Sequence, residues 1–90
     1  MKINGSEEFL KYAKSFVSQT VKEGLDPTDN VNFSEDDVYV VTYSFVLGCQ
    51  KAMLSTTLPD GKYYEVTYNP EKEELYLDSY VRISNKTFLM

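Results

Sequence analysis

The 90-residue chain has no histidine, no tryptophan and a single cysteine. Without histidine there is no Ser-His or Cys-His nucleophile pair and none of the usual zinc sites; any metal would be a hard cation held by oxygens alone. Cys49 by itself forms no intrachain disulfide, which agrees with a reducing compartment, and no base or cation pattern that would activate it as a nucleophile accompanies it. The four glycines are dispersed, so no phosphate-cradling loop exists, and no Gly-x-Ser-x-Gly nucleophile elbow occurs. No apolar run approaches the roughly 20 residues needed to cross a bilayer. The start, Met1-Lys-Ile-Asn-Gly-Ser, has no apolar stretch behind its lysine, unlike a signal peptide. Basic charge is scarce too: nine Lys and Arg stand against fourteen Asp and Glu, a net charge of −5. The basic footprint that neutralises nucleic-acid phosphates is missing. These absences lead us to expect a cytoplasmic protein that is not an enzyme. They point to no cofactor, no metal, no direct nucleic-acid binding and no membrane association.

What is present specifies a fold. A hydrophobic content of 42% over 90 residues suits one domain, residues 1–90, with one two-layered core. Residues 6–23 read as an amphipathic helix: Phe9, Ala13, Phe16 and Thr20 recur at helical spacing, widened by Leu10, Val17 and Val21. Glu7, Lys11, Lys14, Ser18 and Lys22 fall on the other side. Ser6 suits an N-cap and Gly24 a left-handed residue just past the end, with Pro27 preventing continuation. From 24 to 37 runs an acidic crossover, in which Asp26-Pro-Thr-Asp-Asn is turn chemistry and Ser34-Glu-Asp-Asp suits a capped helical turn. Val31 and Phe33 are its expected anchors to the core.

From residue 38 onward the chain is a ladder of short Tyr-, Val- and Thr-rich segments cut by turn residues, the pattern of an antiparallel meander. The predicted strands are 38–47, 50–57, 62–68 and 74–82, with Thr87–Met90 as a possible fifth edge strand. The fold class is therefore α+β: one N-terminal helix on a four- or five-stranded antiparallel meander. Strand one is apolar on both sides, with Tyr39, Val41, Tyr43, Phe45 and Leu47 on one and Val38, Val40 and Val46 on the other. That composition predicts a central or covered strand. In the other strands Ala52, Leu54, Tyr64, Val66, Tyr68, Leu75, Leu77, Ser79, Val81 and Ile83 belong with the helix.

The opposite set is Lys51, Met53, Ser55, Tyr63, Glu65, Thr67, Tyr76, Asp78, Tyr80 and Arg82, and one helix cannot cover it. Two readings of this second face stand side by side. Tyrosine has high strand propensity, so these residues serve as stiffeners of a solvated sheet. Tyr, Met and Arg are also the types enriched in interfaces, which makes Met53, Tyr63, Glu65, Tyr76, Asp78, Tyr80 and Arg82 the candidate partner-binding residues. Tyrosine stacking on single-stranded nucleic acid is opposed by Glu65 and Asp78 in the same patch. The acidic loop has neither the glycine nor the register of an EF-hand. It reads as a solvated loop, or as an electrostatic recognition surface such as a mimic of DNA phosphates. A small-molecule pocket between helix and sheet is a further alternative, for which few convergent polar groups are present.

Three stretches carry a resemblance: Asp36-Asp-Val-Tyr-Val-Val, then Lys51 through Asn69, then Glu74-Leu-Tyr-Leu-Asp-Ser-Tyr. Over roughly Phe9 to Tyr80 the chain resembles a family of small uncharacterised proteins from phages and prophages of Gram-positive bacteria. It departs at Tyr43-Ser-Phe-Val-Leu, where that family has a Trp-Ser-Cys-type segment. The resemblance implies a setting in the bacterial host cytosol and no residue roles. Small acidic phage proteins without catalytic residues commonly bind and block a host protein. The expectation is therefore a non-enzymatic accessory protein that inhibits or modulates a host protein, such as a defence nuclease or replication factor, with the exposed sheet face and the acidic loop together making the contact. The alternative is a structural homo-oligomer, a homodimer for instance, that pairs through its sheet face.

Overall fold

A computed structural model describes residues 3, 5–25 and 32–90. The predicted helix is α1, Ser6–Gly24. A 3₁₀ turn follows at Glu35–Asp37, then β1 (Val38–Val46), β2 (Cys49–Thr56), β3 (Lys62–Asn69) and β4 (Glu74–Val81). The strands form one antiparallel sheet in the order β1-β2-β3-β4, the expected meander. The turn at Glu35–Asp37 is closed by a capping box: the Ser34 side chain accepts from the Asp36 amide while the Asp37 carboxylate accepts from the Ser34 amide at 3.0 Å. Asp26, Asp29 and Val31, and Pro27 beyond the helix, lie outside the described residues.

The core is the meeting of two periodicities. Phe9, Ala13, Val17 and Val21 present one helical face to Val38, Ala52, Leu54, Tyr64, Val66 and Tyr68 of the sheet. Phe33 is buried as expected and Ile3 joins the cluster, its amide donating to the Tyr68 hydroxyl at 3.2 Å. Phe9, Val17, Leu54 and Val66 are fully buried. Each such side chain stabilises the fold by roughly 1.5–3 kcal/mol through burial.

The helix ends differ from expectation. Gly5, at φ 85°, occupies the N-cap position, no side chain caps it, and Ser6 is the first helical residue. At the other end Gly24 is the last helical residue; Leu25, extended, closes the helix by donating its amide to the Lys22 carbonyl at 3.3 Å. A single extended residue there releases the chain without a left-handed step. Ser18, expected on the polar side, is buried, because α1 packs on that side against the Glu35–Asp37 turn as well as against the sheet.

The largest correction concerns β1, which is an edge strand and not a central one. Its faces are also not the simple alternation expected. The pairing runs Val38↔Thr56, Tyr39↔Ser55, Val40↔Leu54, then Thr42↔Met53 and Tyr43↔Ala52, leaving Val41 as an extra residue in a bulge. One extra residue reverses the side on which every later residue falls. Tyr43 and Phe45 therefore join Val38 and Val40 on the helix side, while Tyr39, Thr42, Ser44 and Val46 take the other. Tyr43 confirms this: its ring lies 6.0 Å from that of Phe9, and its hydroxyl donates to Gln50 Oε1 at 2.8 Å.

At the far side of the sheet, Leu75 and Leu77 are half-buried beneath the helix, but Val81 and Ile83 are exposed. The helix packs over β1, β2 and β3 and does not reach that end of β4. Thr87–Met90 forms no fifth strand. The ladder stops where the Arg82 amide donates to the Gly61 carbonyl, and the residues after it leave the sheet.

β1 and β2 are joined by Leu47-Gly48, with φ of 51° and 80°, so Leu47 sits in a turn and not in the strand. Two positive φ angles are what a two-residue hairpin turn demands, and Asn-Gly is its usual filling. Leu47→Asn should therefore raise stability by about 1 kcal/mol, because asparagine tolerates the left-handed region better than leucine. Phe9→Ala should cost about 3–5 kcal/mol by opening a cavity between helix and sheet. Urea unfolding of both variants checks the opposite signs.

Candidate functional site

The helix occupies one side of the sheet, and the other side presents a face built in rows by the strand register. One row is Tyr39–Ser55–Tyr63–Tyr80, the next Thr42–Met53–Glu65–Asp78, the next Ser44–Lys51–Thr67–Tyr76. All seven candidate residues (Met53, Tyr63, Glu65, Tyr76, Asp78, Tyr80 and Arg82) fall on this face. The structure brings them together as the alternation predicted. Tyr76 and Tyr80 are 42% and 49% exposed, Tyr63 and Met53 are partly covered by neighbours, and the open side is thus a real surface and not a second core. Tyr39 belongs to it by plain alternation with buried Val38, and Val46 belongs to it because the bulge at Val41, hidden in a Val40-Val41 doublet with no glycine to mark it, reverses the sides that follow.

Side-chain contacts fix part of the face. Arg82 donates from Nη2 to the Tyr63 hydroxyl at 2.7 Å, and its guanidinium carbon lies 5.8 Å from the Tyr63 ring centre. Lys51 Nζ sits 3.6 Å from Glu65 Oε1, a diagonal ion pair two residues along the strand from the direct Met53↔Glu65 pairing. Exposed pairs of this kind contribute under about 1 kcal/mol each, so they orient more than they stabilise. Glu65 stands directly opposite Asp78 on β4, a like-charge pair that works against strand pairing. The Tyr76 hydroxyl donates to the Glu74 carboxylate. That hydrogen bond is the main reason the Tyr76 phenol is held above its ordinary pKa of 10.0.

The acidic 3₁₀ turn lies elsewhere. It packs against α1, and Glu35 lines shallow surface grooves beside Lys22 on one side and Lys11 and Lys14 on the other. The acids described in the crossover and the tyrosine face are therefore not parts of one flat surface. A groove of about 270 Å³ between α1 and β4, lined by Phe16, Gln19, Thr20, Glu23, Leu75 and Leu77, marks where the helix stops short of the sheet edge. Cys49 is partly buried beside the hairpin turn, a structural position. Among the described residues no group of three or more His, Cys, Asp or Glu is placed to hold a metal ion, and no helix is long and apolar enough to cross a membrane.

A family model matches residues 10–90, from the first turns of α1 through the entire sheet. The chain belongs to the family of unknown function DUF6275. No curated protein and no solved structure matches it. Membership in DUF6275 thus covers the helix from Leu10 on, the crossover and every residue of the open face, and it assigns a role to none of them.

The Tyr76–Glu74 contact makes a pH-dependent signature. Folding favours the protonated phenol, so the contribution is fully present below the ordinary tyrosine pKa and is lost as pH rises through the folded value. Glu74→Gln should bring the Tyr76 titration down toward the ordinary value while the other tyrosines are unmoved. Carbon-detected NMR of ring-labelled tyrosine across alkaline pH reads this directly; an unchanged Tyr76 curve would show that Glu74 is not the cause.

Proposed function

We propose that this DUF6275 protein is a non-enzymatic phage or prophage accessory protein that binds a host protein and inhibits or modulates it. The open sheet face makes the contact. The observation that carries the reading is the face itself. It gathers Tyr63, Tyr76 and Tyr80, with Met53 and Arg82, on a rigid sheet whose opposite side holds the core. Tyrosine, methionine and arginine are the side chains interfaces favour, because each buries a large area with a polar end still satisfied. Glu65, Asp78 and Glu74 add negative charge around these anchors, which favours a partner bearing lysine or arginine. The phage setting rests on the sequence resemblance, and a host defence nuclease or replication factor is the partner class that setting suggests. The acids beside α1 belong to a different side of the molecule and act by setting long-range charge, not by touching the same partner surface.

Pull-down from bacterial lysate with the wild-type chain, Tyr76→Ala, Tyr80→Ala and a helix-face control, Lys11→Ala, tests this reading. A specific partner should be retained by the wild type and the control and lost or weakened about tenfold or more with each tyrosine variant, as for residues central to an interface. Thermal melting of the tyrosine variants should stay near wild type, since both side chains are exposed. Partner loss that tracks loss of folding would assign the tyrosines to the sheet alone.

A further inference from the structure

β1 has the composition of an interior strand and the position of an edge. Between Val38 and Gly48 there is no charged residue and no proline, two of the usual guards of a natural edge strand; the guard it does have is the single-residue bulge at Val41. Its apolar side chains extend to both sides of the sheet. Phe45, on the helix side, is 67% exposed, and Tyr39 and Val46, on the open side, are about half exposed. The adjoining hairpin tip holds Leu47 98% exposed at a positive φ that asparagine or glycine would adopt with less strain. A partner docking on one face would cover only half of this surface. A strand added alongside covers both halves and satisfies the outward backbone groups.

We propose that the occupant is β1 of a second copy, paired antiparallel about a two-fold axis to make a continuous eight-stranded sheet. The argument for a second copy is charge. A two-fold brings each strand against itself, and an uncharged β1 meets no like charge in doing so, whereas the other edge, β4, would oppose its own Glu74 and Asp78. Antiparallel self-pairing also keeps faces matched: helix-side Phe45 meets helix-side residues of the partner, and Tyr39 and Val46 meet open-face residues. β1 then becomes the central strand that its two apolar faces predict. The open tyrosine faces of two copies merge into one surface twice as wide.

Sedimentation at about 50 µM, a concentration that populates micromolar complexes, should give twice the 10.4 kDa chain mass. The double variant Ser44→Lys, Phe45→Lys, which sets lysines on both sides of the edge at exposed positions, should raise the dimer dissociation constant about tenfold or more. Circular dichroism would show that it remains folded. Tyr76→Ala and Tyr80→Ala, on the far side of the sheet, should dimerise as wild type does. As a measurement independent of any variant, alternate β1 amides should gain hydrogen-exchange protection as the wild-type concentration rises. A wild-type monomer, a dimer indifferent to the edge lysines, unchanged β1 exchange, or a dimer lost on removing Tyr76 or Tyr80 would each overturn the proposal.

Discussion

A single helix has to close the core of a four-stranded sheet, and it is too narrow to do so completely. A helix with its side chains is about 10–12 Å across, while four strands span about 14 Å of backbone and more with their side chains. Placed over β1, β2 and β3, α1 seals Ala52, Leu54, Tyr64, Val66 and Tyr68 and leaves β4 partly bare. The shallow groove beside Leu75 and Leu77 and the exposure of Val81 follow from that shortfall, and the opposite face is left without a covering layer because the one helix lies on the other side. The molecule is a thin two-layer slab, 18 Å in its smallest dimension, with one finished side.

Much of this was legible in the chain because two periods with different repeats are hard to confuse. Phe9, Ala13, Val17 and Val21 recur as a helix must, although Phe16 and Thr20, read as part of the same stripe, line the groove beside β4 instead; Tyr64, Val66 and Tyr68 alternate as a half-covered strand must. The seven proposed face residues came out together for the same reason. β1 was the exception. A bulge adds one residue without changing composition, and Val40-Val41 looks the same whether or not the register slips there. Edge position was equally unreadable, because the apolar content of β1 argued for the interior. Helix ends failed on a finer scale. Ser6 and Gly24 are of the right types in nearly the right places, but capping depends on which residue leaves helical geometry first, and a displacement of one position separates a cap from a first turn.

The open face combines features that pull in different directions. Tyr39, Tyr63 and Tyr80 lie in one cross-strand row with Ser55, favourable neighbours for a sheet, while Glu65 and Asp78 oppose each other in the next. A sheet shaped only for its own stability would not set two carboxylates across a pair. Lys51 offsets part of that repulsion from the side, and a cationic side chain brought by a partner would offset more. The face is thus soluble when uncovered and gains from the right covering, which suits a surface that exists in both states.

The tethers on two of the tyrosines have a kinetic meaning. An unrestrained surface side chain loses rotamer freedom when it is trapped at an interface, at about 0.5–1.5 kcal/mol each. The Tyr63 hydroxyl held by Arg82 and the Tyr76 hydroxyl held by Glu74 are restrained before any partner arrives. These two rings are preorganised, on neighbouring strands of a rigid support. In the proposed complex a partner shaped to them would find its anchors already set, and preorganisation of this kind acts on residence time more than on encounter rate.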